Sequence, residues 1–164
     1  MKEKKKPSRK SKGSLLFLVD GMLGSIATKL RILGFDTVYD KESEDNDLLS
    51  RAKQENRILI TSDYELQLKA KRLHLHCVLI SGKTERERLV ELFSKLNIRQ
   101  VSLNRMARCS VCNGTLKKKE VRDHYGRDIY QCTTCGKLFW KGSHWKKLNA
   151  LFSQVNFGLM QERR

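Results

Sequence analysis

Long apolar runs, proline and acidic charge are all scarce in this chain. The longest apolar run near the start, Leu15-Leu16-Phe17-Leu18-Val19, has five residues, too few for a signal-peptide core or a membrane span. A cytoplasmic, reducing setting with no membrane partner is therefore expected, and the five cysteines are not expected to pair as disulfides. The one proline, Pro7, lies in a lysine-rich N-terminal stretch. Aspartate and glutamate number 18 against 34 lysines and arginines, for a net charge of +16 over 164 residues.

That excess is unevenly placed. Residues 1–12 carry +6, residues 13–104 only +1, and residues 105–147 carry +8. A basic tail and a basic module around a near-neutral middle are the electrostatic footprint of a polyanion partner. Nucleic-acid contacts are expected from Lys4, Lys5, Lys6, Arg105, Arg108, Lys117, Lys118 and Lys119. Residues 1–13 read as a disordered basic tail, too poor in apolar groups to bury a core.

From Ser14 onward, short apolar runs alternate with amphipathic stretches. Strands are predicted at 15–19, 36–40, 57–61 and 76–80, and helices at 22–33, 45–56, 63–72 and 84–96. Gly34 ends the first helix, and a capping box, Thr84-x-x-Glu87, opens the last. Four strand–helix alternations in about 80 residues are the signature of a doubly wound parallel sheet. The pattern then changes to paired cysteines and turns, which sets a first domain over 14–104, a small module over 105–150 and a C-terminal tail over 151–164.

Cys109-Ser110-Val111-Cys112 and Cys132-Thr133-Thr134-Cys135 are two C-x-x-C knuckles separated by 19 residues. Each delivers two sulfurs to one side of a tetrahedral ion, so the four cysteines are expected to bind one structural zinc in a zinc ribbon. Asn113-Gly114 and Gly136 follow the knuckles and tolerate positive φ, which lets backbone amides turn back toward the sulfurs. A module of this size has too little core to fold without its metal. Cys77 reads as a small buried residue in a strand, and Tyr130, Phe139, Trp140 and Trp145 read mainly as the ribbon's thin core, with base stacking as the alternative.

Ligands of a doubly wound sheet bind at the carboxyl ends of its strands, and three acids fall there. Asp20 follows the first strand, Asp63 follows the third, and Asp45 opens the helix after the second. Asp45 shares the helix stripe of Leu48, Leu49 and Ala52, whereas Asp47 points elsewhere and can pair with Arg51. Each acid has an ordinary explanation as a cap or dipole partner, and Ser62-x-x-Glu65 reads as a capping box. Gathered on one sheet edge, however, like carboxylates repel and call for a cation such as magnesium or manganese. Gly21-Met22-Leu23-Gly24 matches neither a dinucleotide fingerprint nor a phosphate loop and reads as a tight turn beside these acids.

Several segments together resemble the Mut-7 C-terminal RNase domain family. They are Leu18-Val19-Asp20-Gly21-Met22-Leu23-Gly24, Leu30-Arg31-Ile32-Leu33-Gly34-Phe35-Asp36-Thr37, Arg57-Ile58-Leu59-Ile60-Thr61-Ser62-Asp63, Arg108-Cys109-x-x-Cys112-Asn113-Gly114 and Trp140-x-Gly142-Ser143-His144-Trp145. The likeness spans about residues 15–148, and Ser62 and Asn46 depart from the family pattern, where a basic residue and a second acid are common. It implies a PIN-like nuclease fold fused to a zinc ribbon, and magnesium- or manganese-dependent hydrolysis of RNA through Asp20, Asp45 and Asp63. The alternative is a non-catalytic RNA-binding protein on the same fold, docked on the ribosome or another RNA–protein complex.

Overall fold

The computed structural model describes residues 15–103 and 107–162. The basic tail, with Lys4, Lys5 and Lys6, and Arg105 lie outside the described residues. Four strands, β1 (Leu16–Val19), β2 (Asp36–Tyr39), β3 (Ile58–Thr61) and β4 (Cys77–Leu79), alternate with helices α1 (Gly24–Ile32), α2 (Asp45–Gln54), α3 (Tyr64–Arg72) and α4 (Glu85–Lys95). All strand pairings are parallel and the order is β2-β1-β3-β4.

Side chains on successive strand residues point to opposite faces, and this alternation divides the core in two. Phe17, Val19, Ile58, Ile60 and Val78 meet α1 and α4 on one face. Leu18 and Leu59 meet Leu48, Leu49 and Ala52 of α2 and Leu66 and Ala70 of α3 on the other. Both faces are covered, which explains why the strands read as continuous apolar runs. The capping box at Thr84 and Glu87 forms as its spacing predicts.

After β1 the chain crosses to β2 on one side, and after β3 it crosses to β4 on the other. The adjacent carboxyl ends of β1 and β3 are therefore the topological switch point, where open α/β sheets leave a crevice. Gly21 begins a 3-10 turn, Gly21–Leu23, at that point. A Cβ on Gly21 would lie 2.7 Å from the Lys41 carbonyl oxygen, so only glycine allows the two segments to approach this closely.

The second module is an antiparallel sheet of β5 (Leu116–Arg122), β6 (Asp128–Cys132) and β7 (Leu138–Trp140). It is not followed by a tail. Helix α5 (Ser143–Gln161) runs 19 residues and returns to the first core, where Phe152, Val155 and Leu159 pack beside Leu89, Val90 and Phe93. Gly158 permits the close crossing, since a Cβ there would lie 2.8 Å from Val90 Cγ2. The expected tail over 151–164 is thus corrected for 151–161, whose Phe152, Val155 and Leu159 form an apolar stripe at helical spacing.

The first knuckle also docks on the parallel-sheet domain. Arg31, 5% exposed, donates from Nε to the Thr37 carbonyl and from Nη1 to the Ser110 and Val111 carbonyls. Burial lowers its pKa, and the nearby Cys109, Cys112 and Asp36 offset this only in part. Asn113 Oδ1 accepts from the Thr37 amide and its Nδ2 donates to Asp36. Arg57 and Arg108 both pair with Asp36, at 2.8 and 3.1 Å.

Candidate active site and zinc site

Asp20 directly follows β1, where its amide donates to the Ile60 carbonyl at 3.0 Å. Its Oδ2 accepts from Thr61 Oγ1 at 2.7 Å, and the same Thr61 oxygen accepts from the Asp63 amide at 2.9 Å. One buried hydroxyl therefore ties the Asp20 carboxylate to the Asp63 backbone across the switch point. Tyr39 Oη braces the turn by donating to the Gly21 carbonyl at 3.0 Å. Asp63 is the N-cap of α3: Oδ1 accepts from the Glu65 amide at 2.7 Å and from the Leu66 amide at 3.3 Å. That role had been expected of Ser62, and a carboxylate fills it equally well.

Asp45 sits apart from this pair in its bonding. It lies at the start of α2, less exposed than Asp47 but with 39% of its side chain still open to solvent. Its Oδ2 accepts from Lys69 Nζ of α3 at 2.8 Å. The hydrogen bond and charge of Asp45, with smaller contributions from Asp63 and Glu65, raise the Lys69 pKa. Lys69 was not singled out from the sequence, because a lysine six residues into a helix carries no motif. Arg51 pairs with Glu55 at 2.8 Å, not with Asp47 as expected, since Glu55 offers the same i,i+4 spacing in the last turn.

The three carboxylates do not close into a cage. Among the described residues, the cysteine quartet is the only group of three or more potential ligands close enough to share an ion. Asp20 and Asp63 suit a magnesium-type ion in kind, offering carboxylate oxygens at one edge. Asp45 is committed to Lys69, which supplies positive charge where a metal was expected. A nearby Gly82-Lys83-Thr84 has the end of a phosphate-loop sequence without its first glycine. Its amides are already taken: Ser81 and Gly82 donate to Glu91, and Lys83 and Thr84 to Glu87.

The four cysteine sulfurs lie within 4.8 Å of one another. Cys109 and Cys135 are 3.7 Å apart and Cys112 and Cys132 3.4 Å apart. A zinc–sulfur bond of about 2.3 Å in a tetrahedron sets sulfurs about 3.8 Å apart, so the quartet fits zinc. Asn113 and Gly136 adopt φ of 68° and 74°, and the Thr134 and Cys135 amides donate to Cys132 Sγ. Burial raises the Cys132 pKa, but these amides and the neighbouring thiols outweigh it and bring it down to about 6. The Gly114 amide favours the Cys112 thiolate, yet burial and three neighbouring sulfurs push that thiol up to about 12. Four thiolates this close cannot all ionise without a cation among them.

The sequence model of the Mut7-C RNase domain matches residues 16–152. The chain belongs to that family. The match runs through the parallel sheet, the cysteine module and the first half of α5, so the two modules are one family unit. No curated protein and no solved structure matches the chain. Family membership makes a ribonuclease-type function, with RNA as substrate or partner, the general assignment. Among the described residues no helix is long and apolar enough to cross a membrane.

The remaining predicted contacts divide. Arg108 is held by Asp36 and by the Asn113 carbonyl, and Lys118 pairs with Asp128 at 2.8 Å, so both act within the fold. Lys117 and Lys119 are exposed on β5. Cys77 is partly buried, and desolvation pushes its thiol up to about 11.

Proposed function

We propose that the protein is a ribonuclease that hydrolyses RNA phosphodiester bonds at the switch point between β1 and β3. The observation that carries this is the Thr61-bridged pair of Asp20 and Asp63 in a chain of an RNase-domain family. Asp20 and Asp63 would hold magnesium or manganese, which supplies a hydroxide nucleophile and offsets charge on the phosphate. Asp45 joins them only when Lys69 releases it. Thr61 fixes the Asp20 carboxylate, and the Asp63 backbone is held by α3, so both acids are positioned before substrate arrives. Cys109, Cys112, Cys132 and Cys135 would hold a structural zinc, and the ribbon and the basic tail would hold RNA.

The test is incubation of the zinc-loaded protein with single-stranded and hairpin RNA, with and without manganese. Manganese-dependent cleavage that Asp20→Asn abolishes supports the proposal. The second reading, a non-catalytic RNA-binding protein of the ribosome or another RNA–protein complex, draws on the Lys69–Asp45 pair, which neutralises one acid without a metal. Cleavage at the wild-type rate by Asp20→Asn, or none by either protein, would favour it.

A further inference from the structure

The ribbon sheet has two unlike faces. In an antiparallel sheet, directly paired residues share a face. Tyr130 pairs with Phe139 and Lys118 with Tyr130, which puts these three on one side. There Lys118 and Arg122 both pair with Asp128, at 2.8 and 3.4 Å, and the two aromatic rings are half-buried. The opposite side carries Lys117, Gln131, Leu138, Ile129 and Trp140 through the pairs Lys117–Gln131, Gln131–Leu138 and Ile129–Trp140. Lys119 reaches the same side, with Nζ 3.4 Å from Gln131 Oε1.

On that second face Trp140 is 53% exposed and Leu138 45% exposed. Such surface is costly to leave in water. Arg127 lies over it, its guanidinium 6.0 Å from the Trp140 ring and 4.8 Å from the ring of Tyr125. Asp123, 2.6 Å from Arg127 Nε, fixes that orientation. Tyr125, 71% exposed, stands at the β5–β6 turn with its ring 3.7 Å from that of His124. A groove of about 440 Å³ runs along the edge of β5 beside Lys117, Lys118, Lys119 and Gln131, with Glu120 the one acid in its lining. No acidic side chain faces Lys117 within ion-pair distance among the described residues.

We infer that this face is a stacking platform for the unpaired bases of single-stranded RNA. Trp140 and Tyr125, with Arg127 between them, offer their exposed rings to two bases, and Lys117 and Lys119, on β5 across β6 from Trp140, meet phosphates of the adjoining nucleotides. The combination of solvent-exposed aromatic rings, backed by Arg127, with lysines free of ion pairs among the described residues on one side of a sheet is what sequence-tolerant single-strand binding requires. A paired duplex presents no free base faces, so the platform selects single-stranded over double-stranded RNA. The platform rests on the ribonuclease reading for its occupant, and it adds the form in which that substrate is held.

The experiment uses the full, zinc-loaded chain in which Asp20→Asn prevents cleavage and Trp145→Phe leaves Trp140 as the only tryptophan. Oligouridylate titration should quench the fluorescence of Trp140. Trp140→Ala should weaken binding of that oligomer about tenfold or more and leave binding to a blunt RNA duplex nearly unchanged. Replacing Lys117 and Lys119 together by alanine should lower the salt slope of single-strand binding by about 1.4. Absence of quenching at saturating RNA, or unchanged oligomer affinity in Trp140→Ala, overturns the platform and leaves the face to a protein partner. The two proposals fail separately. Cleavage that needs Asp20 but ignores Trp140 sinks only the platform, and quenching by RNA that wild type never cleaves sinks only the nuclease.

Discussion

Replacing Arg31 by methionine should unfasten the ribbon from the parallel sheet. The guanidinium is almost fully buried and donates to three carbonyls, those of Thr37, Ser110 and Val111. Methionine fills much of the same space but leaves those oxygens without a donor. Charge-assisted hydrogen bonds contribute about 1.5–3 kcal/mol each, and a stranded buried carbonyl costs about 1–3 kcal/mol; that cost applies in full at Thr37 and less at Ser110 and Val111, whose bonds are only part-buried. Since the three share one side chain and part of the desolvation cost of Arg31 is recovered, a loss of about 3–5 kcal/mol is expected. Against a total of about 5–15 kcal/mol for a domain, that is severe. Lysine should not rescue it, having no fork with which to span Thr37 and the knuckle. The assay is urea denaturation of the zinc-loaded proteins, followed by competition with a chelator. Because Ser110 and Val111 lie between Cys109 and Cys112 of the proposed zinc site, zinc affinity should fall with stability. A variant less than 1 kcal/mol weaker than wild type, with unchanged zinc retention, would refute the clamp. Removing zinc from the wild type should likewise lower the stability of the parallel-sheet domain.

Other outcomes follow from single contacts. Lys69→Met frees Asp45 and should tighten manganese binding severalfold by calorimetry; unchanged affinity would mean that Lys69 does not compete for that acid. Ending the chain after residue 150 removes Phe152, Val155 and Leu159 from the core and should prevent cooperative folding, while Phe152→Ala alone should cost about 3–5 kcal/mol; a truncated protein that melts like the full chain would contradict this. Burial raises the pKa of Asp36, but Arg57, Asn113 and Arg108 outweigh it and leave it lowered. A depressed carboxylate stabilises the fold above its unfolded pKa of about 3.9, and that contribution is lost as pH falls through the folded value. The melting-temperature advantage of wild type over Asp36→Asn should thus be full near pH 6 and shrink below about pH 4; a constant gap would exclude the ion pairs as its source.

Much of this architecture is legible in one sequence because its signals are local. Runs such as Leu16–Val19 and Ile58–Thr61, alternating with capped amphipathic helices, specify the parallel sheet, and the knuckle spacing specifies the cysteine cluster. The nearness of Asp20 and Asp63 is legible for the same reason, since the topology of such sheets fixes where those strand ends meet, whereas Asp45 bonds to Lys69 instead. What the sequence conceals is tertiary. Arg31 and Arg108 look like surface cations until the knuckle is seen to dock on Asp36 and Thr37. Lys69 gains its role only because α3 lies beside the start of α2. The second half of α5 reads as a tail in sequence because it follows a metal module, although Phe152, Val155 and Leu159 keep helical spacing. Trp140 was read with the core aromatics, and only strand pairing separates it from Tyr130 and Phe139.

The most direct test of the proposed ribonuclease is a single-turnover cleavage assay on a labelled single-stranded RNA with manganese. Asp20→Asn and Asp63→Asn are compared with wild type and with Asp47→Asn, all zinc-loaded and all binding the RNA. Each of the first two should lose at least about a hundredfold in rate, roughly 2.7 kcal/mol of transition-state stabilisation, while Asp47→Asn stays within about twofold of wild type. Equal rates for wild type, Asp20→Asn and Asp63→Asn would show that the Thr61-bridged pair does not carry the chemistry.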